Sequence, residues 1–182
     1  YIGDPSTPKQ VEEVNIARSR VAPVLASLNR SAGELCAHTR PGCPLRVFVG
    51  VGDFYAGHNG TIAGVASQLI DFLQNDDEIA LLLAHEWAHI LLRHNGNAMN
   101  AETEADCVGA LLAKRTSADV DKAAEVMVRL QTTAIGMRQA LFGAGTHPML
   151  GNRYLRIRPI AANAPAGTID RSTIERLCEV RF

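Results

Sequence analysis

The sequence predicts an α+β fold that is mostly helical and carries a small β-sheet. Apolar residues recur at helical spacing through most of the chain, whereas the alternation typical of strands is confined to residues 45–65. With 182 residues, 47% of them hydrophobic, the chain is long enough to bury one core. We therefore expect a single domain over residues 1–182.

Charge and hydropathy exclude two classes of partner. The 18 basic and 19 acidic residues leave a net charge of −1, so we expect no nucleic-acid partner. The longest apolar run is interrupted by His85, Glu86 and His89, and we expect no transmembrane segment. The chain begins at Tyr1 with neither an initiator Met nor a signal-peptide pattern, and we expect a mature or trimmed form.

The first half of the chain predicts a helix, two strands and a second helix. Residues 8–35 place apolar side chains near helical spacing, as in a packing helix, with a kink at Pro23. The alternating, β-branched pattern predicts strands at residues 45–51 and 61–65, joined through a turn at residues 57–60. A short helix is expected over residues 67–74.

The second half of the chain predicts further helices. Asn75 followed by Glu78 is typical of a helix N-terminus, and the predicted helix runs over residues 76–95, where an Asn-Gly-Asn sequence ends it. The next helix is expected to return antiparallel to it after a tight turn. This antiparallel helix is predicted over residues 101–112. Two more helices are predicted, over residues 119–133 and after His147-Pro148.

The four cysteines allow three pairings into two disulfides. Cys36 and Cys43 bracket a turn-rich hexapeptide, which predicts a local bridge, with Cys107 and Cys178 as a second pair. The alternative is four buried free thiols. Because disulfides form in oxidising compartments, we expect an extracytoplasmic location, in a bacterial periplasm.

The segment AHEWAHI, residues 84–90, places two imidazoles and a carboxylate in the most apolar run of the chain. Burying such groups without partners costs a few kcal/mol each. His85 and His89 are four residues apart, so on a helix they share one face and can bind one zinc ion. Glu86, rotated by about 100°, can act as a general base on water. The alternative, two surface histidines, fits the apolar surroundings poorly.

A catalytic zinc requires a third protein ligand. The nearby acids are Glu102, Glu104 and Asp106. On a helix Glu102 and Asp106 share a face, whereas Glu104 points to the opposite side. We predict that Glu102 completes the zinc site, that Asp106 accepts a hydrogen bond from a ligand histidine, and that Glu104 is a solvated carboxylate.

The remaining histidines of the first two thirds of the chain receive no site role. His94 follows His85 by nine residues, which turns it about 180° away on the predicted helix, so we expect a structural or surface histidine. His38 and His58 have no partners in the sequence.

Three ordered motifs resemble metallopeptidase family 48: HEWAHILLRH, ETEADCVGALL and THPMLGNRYLRI. The resemblance covers residues 45–158 and implies a zincin-like domain whose active-site helix carries HExxH. It also implies one zinc ion per chain, bound by His85, His89 and Glu102, with Asp106 as a partner outside the ligand set. Without membrane helices, the chain resembles the soluble BepA-like gluzincins more than the HtpX-like membrane proteases.

The same resemblance implies roles for His147 and Arg153. The matching histidine of the family lies close to the zinc, which implies either a fourth ligand that suppresses activity or a donor to the tetrahedral intermediate. Arg153 can hydrogen-bond a carboxylate of the site or the substrate backbone. Its alternative is an ion pair that positions its helix.

These features predict a zinc endopeptidase with Glu86 as general base. Its substrates would be peptides or unfolded proteins, bound by strand addition at an edge near residues 54–57, in envelope protein quality control. The alternative is a latent or non-catalytic zinc-binding chaperone or adaptor module. The presence of Glu86 argues against this alternative, because a structural zinc site needs no general base.

Overall fold

The computed structural model describes residues 2–38, 42–52, 54–94, 99–133, 150–164 and 169–182. The strands are β1 (Val47–Gly50), β2 (Ala56–His58) and β3 (Ala63–Ala66). The helices are α1 (Pro8–Ser31), α2 (Gly33–His38), α3 (Ser67–Phe72), α4 (Asp76–Leu91), α5 (Met99–Lys114), α6 (Val120–Ala123), α7 (Glu125–Gln131), α8 (Leu150–Asn163) and α9 (Arg171–Cys178). Many helices and a small sheet confirm the predicted α+β class. The single domain stays a prediction.

The sheet has three strands in the order β1-β3-β2. β1 pairs with β3 in parallel, and β2 pairs with β3 in antiparallel orientation. The turn predicted at residues 57–60 was partly wrong, because Gly57 and His58 pair with β3 as the end of β2. The turn itself begins at Asn59, whose Oδ1 accepts hydrogen bonds from the backbone N–H groups of Thr61 and Ile62. β2 is therefore an edge strand of this sheet.

The N-terminal helix packs on the rest of the molecule as the apolar spacing predicted. Thr7 and Gln10 form a reciprocal capping box at its start, and Pro23 lies inside the continuous helix. The helix ends at Ser31, before the predicted limit at residue 35, and the short α2 follows it and extends beyond that limit to His38. The buried residues of α1 recur at helical spacing: Val14, Ala17, Val21, Val24 and Leu28.

Helix α4 lies in the core and is buried on nearly every side. The Oδ1 atom of Asn75 accepts a hydrogen bond from the backbone N–H of Glu78, as the N-cap pattern predicted. Its predicted end at residue 95 was wrong, because the helix stops at Leu91. Arg93 takes the left-handed conformation, with φ of 56°, and the backbone N–H of His94 donates to the carbonyl of His89. The chain therefore leaves the helix axis one turn early.

Two further helix predictions changed in detail. The helix predicted over residues 119–133 is two short helices, α6 and α7, which meet at Ala124. The helix predicted after Pro148 is described from Leu150 as α8. Within the described ranges, no helix combines the length and the apolar character that crossing a membrane requires.

Both predicted disulfides are present. Cys36 pairs with Cys43 across the short loop, and Cys107 of α5 pairs with Cys178 at the end of α9. No cysteine of the chain is left as a free thiol, which excludes the four-thiol alternative. The second bridge fastens the C-terminal helix to the helix that carries Glu102 and Asp106.

The two bridges should stabilise the fold by different amounts. They close loops with sequence separations of 7 and 71 residues. Because each bridge lowers the conformational entropy of the unfolded chain, we expect Cys36–Cys43 to raise the free energy of unfolding by about 2.5 kcal/mol and Cys107–Cys178 to raise it by about 4.4 kcal/mol. Urea unfolding of the two Cys→Ser double variants would measure this order. A larger loss of stability from removing Cys36–Cys43 than from removing Cys107–Cys178 would contradict this order. The reduced wild type is the reference for the loss of both bridges.

Candidate metal centre

Helices α4 and α5 approach each other closely where α5 carries Gly109. A Cβ atom added to Gly109 would lie 2.8 Å from the Cα atom of His85 and 2.9 Å from its backbone nitrogen. No side chain fits in that space. Glu102, Asp106 and Gly109 lie on one face of α5, at spacings of four and three residues. The glycine therefore brings the two carboxylates of that face against the histidines of α4.

His85, His89 and Glu102 bring their ligand atoms together. One atom from each residue lies within 4.8 Å of the others, and all three residues are buried. The Nε2 atoms of His85 and His89 are 3.1 Å apart, and Glu102 Oε1 is 3.3 Å from Nε2 of His89. Ligand atoms at tetrahedral positions around zinc are separated by about 3.3 Å. The donor set and its spacing therefore fit zinc.

The charges around this cluster also favour a divalent cation. In the described part of the chain, the buried carboxylates nearest the histidines are Glu86, Glu102 and Asp106, and the buried cation beside them is Arg153. If the three carboxylates are ionised and both histidines are neutral, as metal binding requires, these groups together carry two negative charges in a region of low polarity. Such a charge is costly unless it is neutralised. A divalent ion would balance it.

Asp106 and Arg153 contact His85 at its Nδ1 atom. Asp106 Oδ1 is 3.2 Å from Nδ1 of His85, and Arg153 Nη2 donates to the same oxygen at 2.7 Å. Burial raises the pKa of Asp106, but the Arg153 cation and His85 outweigh it and lower the pKa to about 2. Burial and Arg153 lower the pKa of His85, whereas Asp106 and Glu102 raise it further, to about 9. Arg153 thus pairs with a carboxylate of this cluster, and the same ion pair joins α8 to α5, so both of its predicted roles stay predictions.

Glu86 and His58 also lie close to the histidine cluster. Glu86 is 3% exposed and follows His85 on α4, as the motif predicted. The His58 ring stacks on that of His89 with centroids 5.1 Å apart. Burial and His89 lower the pKa of His58, while Glu86 opposes them. His58 therefore borders the site although its sequence context gave no sign of it; only the β2–β3 pairing places it there.

His94 and Glu104 have contacts that the sequence did not predict. His94 Nδ1 is 2.9 Å from Nδ1 of His89, and His94 Nε2 is 2.9 Å from Glu104 Oε2. The side chain of His94 is 10% exposed, so it is not a surface histidine. Glu104 pairs with His94, and its side chain is 41% exposed, so it keeps the contact with solvent that was predicted for it. The unexpected position of His94 follows from the early end of α4, because helical geometry no longer applies beyond Leu91.

Two of the other predicted residues remain untested in position. His147 lies outside the described residues, so its role as a latch or as a donor stays a prediction. The side chain of His38, for which no role was predicted, also lies outside the described part of the chain.

The model of peptidase family M48 matches residues 51–101. The match confirms the predicted resemblance to this family of zinc-dependent metallopeptidases. It includes His85, Glu86 and His89 and ends one residue before Glu102. The comparison with curated proteins gave no match, and the comparison with solved structures gave none either.

A methyl group at Gly109 should separate α4 from α5. We expect Gly109→Ala to cost about 1–3 kcal/mol in the free energy of unfolding, because the added Cβ overlaps the backbone of His85. Gly33→Ala is a matched control, since a Cβ at Gly33 meets nothing within 4 Å. Chemical denaturation of both variants would measure the difference. Equal stability of the two variants would show that the helices do not depend on this approach.

Proposed function

We propose that the protein is a zinc-dependent endopeptidase. The observation that carries the proposal is the buried convergence of His85, His89 and Glu102, with the Glu86 carboxylate on the same helix. A structural zinc site is usually closed by four protein ligands, whereas three ligands leave a position open for chemistry. The family match to peptidases supports the same conclusion.

His85, His89 and Glu102 would hold the zinc, which when bound makes water more acidic and polarises a peptide carbonyl. Glu86 accepts the proton of the attacking water on its carboxylate and delivers it to the nitrogen of the departing amine. Asp106 accepts a hydrogen bond from Nδ1 of His85, which places the lone pair on Nε2, the nitrogen that would bind the metal. Arg153 holds Asp106 in place through its guanidinium group.

The substrates we propose are extended peptides and unfolded proteins. β2 is an edge strand, and its last residue, His58, stacks on the ring of His89. A peptide that added to this edge by main-chain hydrogen bonds would pass close to the metal ligands. Backbone pairing is tolerant of sequence, as the turnover of unfolded proteins requires.

The proposed location is extracytoplasmic, in a bacterial periplasm, with a role in envelope protein quality control. The support for this location is the pair of disulfides, which persist in oxidising compartments and are rare in reducing ones.

Loss of the Glu102 carboxylate should weaken zinc binding. We expect the wild type to bind one zinc ion per chain. Glu102→Gln should bind zinc more than about 100-fold more weakly, because losing a direct ligand costs more affinity than losing a residue that only supports a ligand. Competition with a chromophoric chelator would measure both affinities. Glu12→Gln makes the same chemical change on the exposed face of α1 and should bind zinc like the wild type. Unchanged affinity in Glu102→Gln would assign the third ligand elsewhere.

Loss of the Glu86 carboxylate should remove hydrolysis without removing zinc. We expect Glu86→Gln to retain one zinc ion per chain and to hydrolyse casein at least about 100-fold more slowly, the lower end of a general base's usual contribution. Zinc content and casein hydrolysis are measured on the same preparations, with Glu12→Gln as the control.

Two outcomes would contradict the proposal. Equal casein hydrolysis by the wild type and Glu86→Gln would remove the assigned mechanism. A wild type that binds zinc but hydrolyses no casein would instead support the latent or non-catalytic zinc-binding module.

A further inference from the structure

The two histidines of the proposed zinc site have different support on their outer nitrogens. Nδ1 of His85 faces the carboxylate of Asp106 directly. Nδ1 of His89 faces Nδ1 of His94, and His94 in turn faces Glu104 through its Nε2 atom. The second arrangement is a continuous chain of hydrogen bonds from a carboxylate of α5 to a predicted metal ligand of α4.

The protonation of this chain is determined once His89 binds a metal through Nε2. A coordinating nitrogen carries no proton, so the neutral ring of His89 carries its proton on Nδ1 and donates it to His94. His94 must then accept on Nδ1, and its own proton lies on Nε2, where Glu104 Oε2 accepts it at 2.9 Å. Every donor in the chain then has an acceptor.

Without Glu104, the opposite arrangement becomes accessible. His94 can carry its proton on Nδ1 and donate it to Nδ1 of His89, which moves the proton of His89 to Nε2. His89 cannot bind a metal in that tautomer. The Glu104 carboxylate has no proton to donate and accepts only the Nε2–H of His94, so it excludes this competing arrangement.

The backbone places His94 for this contact. Leu91 ends α4, Arg93 takes the left-handed conformation, and the N–H of His94 donates to the carbonyl of His89 at 3.0 Å. On α5, Glu104 is rotated about 200° from Glu102. The two carboxylates therefore approach His89 from different sides, Glu102 at Nε2 and Glu104 through His94 at Nδ1.

We infer that His94 and Glu104 are positioning residues that hold His89 in the tautomer and orientation of a metal ligand. The inference rests on the proposed function, because it concerns the affinity of the same zinc site. Glu104 acts only through His94, which distinguishes this role from a general electrostatic attraction between a carboxylate and the metal.

Zinc affinity in single and double variants tests this chain. We expect Glu104→Ala to weaken zinc binding by about 10-fold or more, the usual effect of removing such a partner. Glu104→Gln should lose less, because its amide oxygen still accepts from Nε2–H of His94. His94→Ala should weaken binding at least as much, and adding Glu104→Ala to it should cause no further loss. Chelator competition measures all five proteins, wild type included.

A matched control and a spectroscopic readout separate positioning from folding. Asp121→Ala removes an exposed ion pair with Arg158, at an exposure similar to that of Glu104, and should leave zinc affinity unchanged. Long-range ¹H–¹⁵N spectra of the zinc-loaded protein should show His94 protonated on Nε2 in the wild type and in Glu104→Gln. We expect this signature to be reduced in Glu104→Ala.

The outcomes distinguish this inference from the proposed function. A wild type that binds no zinc overturns both. A wild type that binds zinc, with Glu104→Ala equal to it in affinity and in His94 tautomer, overturns this inference alone. A further loss of affinity from Glu104→Ala in the His94→Ala background also overturns it, because Glu104 would then act without His94.

Discussion

The close approach of α4 and α5 at Gly109 is the contact on which the site depends. A Cβ atom at this position would lie 2.8 Å from the backbone of His85, so the two helices could not stay at this distance with any other residue. Glycine in a helix costs about 1 kcal/mol relative to alanine. This destabilising glycine lies at the point where the face of α5 that carries Glu102 and Asp106 meets the histidines of α4.

The packing of α4 against α5 also buries the negative charge of Asp106. The positive charge that balances it belongs to Arg153, from a distant part of the chain. Asp106 and Arg153 are 47 residues apart in sequence and are both almost fully buried. Their pairing lowers the cost of a buried carboxylate, and the carboxylate keeps its charge next to His85. In the absence of a metal, the raised pKa of His85 means that a proton supplies part of the remaining positive charge. The proton and the proposed zinc ion therefore compete for the same negative environment.

Local sequence signals predicted the parts of the site that depend on one helix. The spacing of His85 and His89, the cap at Asn75, and the shared face of Glu102 and Asp106 all follow from 3.6 residues per turn. The end of α4 could not be predicted in this way, because an arginine at position 93 gives no signal for a left-handed conformation. His94 was placed on an extrapolated helix for that reason. His58 depends on strand pairing, which local sequence does not specify.

The three acids of the sequence ETEAD therefore lie in different directions around the histidine cluster. Helical geometry places Glu102 and Asp106 on the buried face of α5, and it turns Glu104 towards the partly exposed end of α4. Asp106 contacts its histidine directly, in a buried environment where such a hydrogen bond is strong. Glu104, whose side chain is 41% exposed, would reach its histidine only through the nearly buried ring of His94. The intervening imidazole would thus allow a partly exposed carboxylate to act on a buried metal ligand, without the cost of burying a further negative charge beside Glu86 and Glu102.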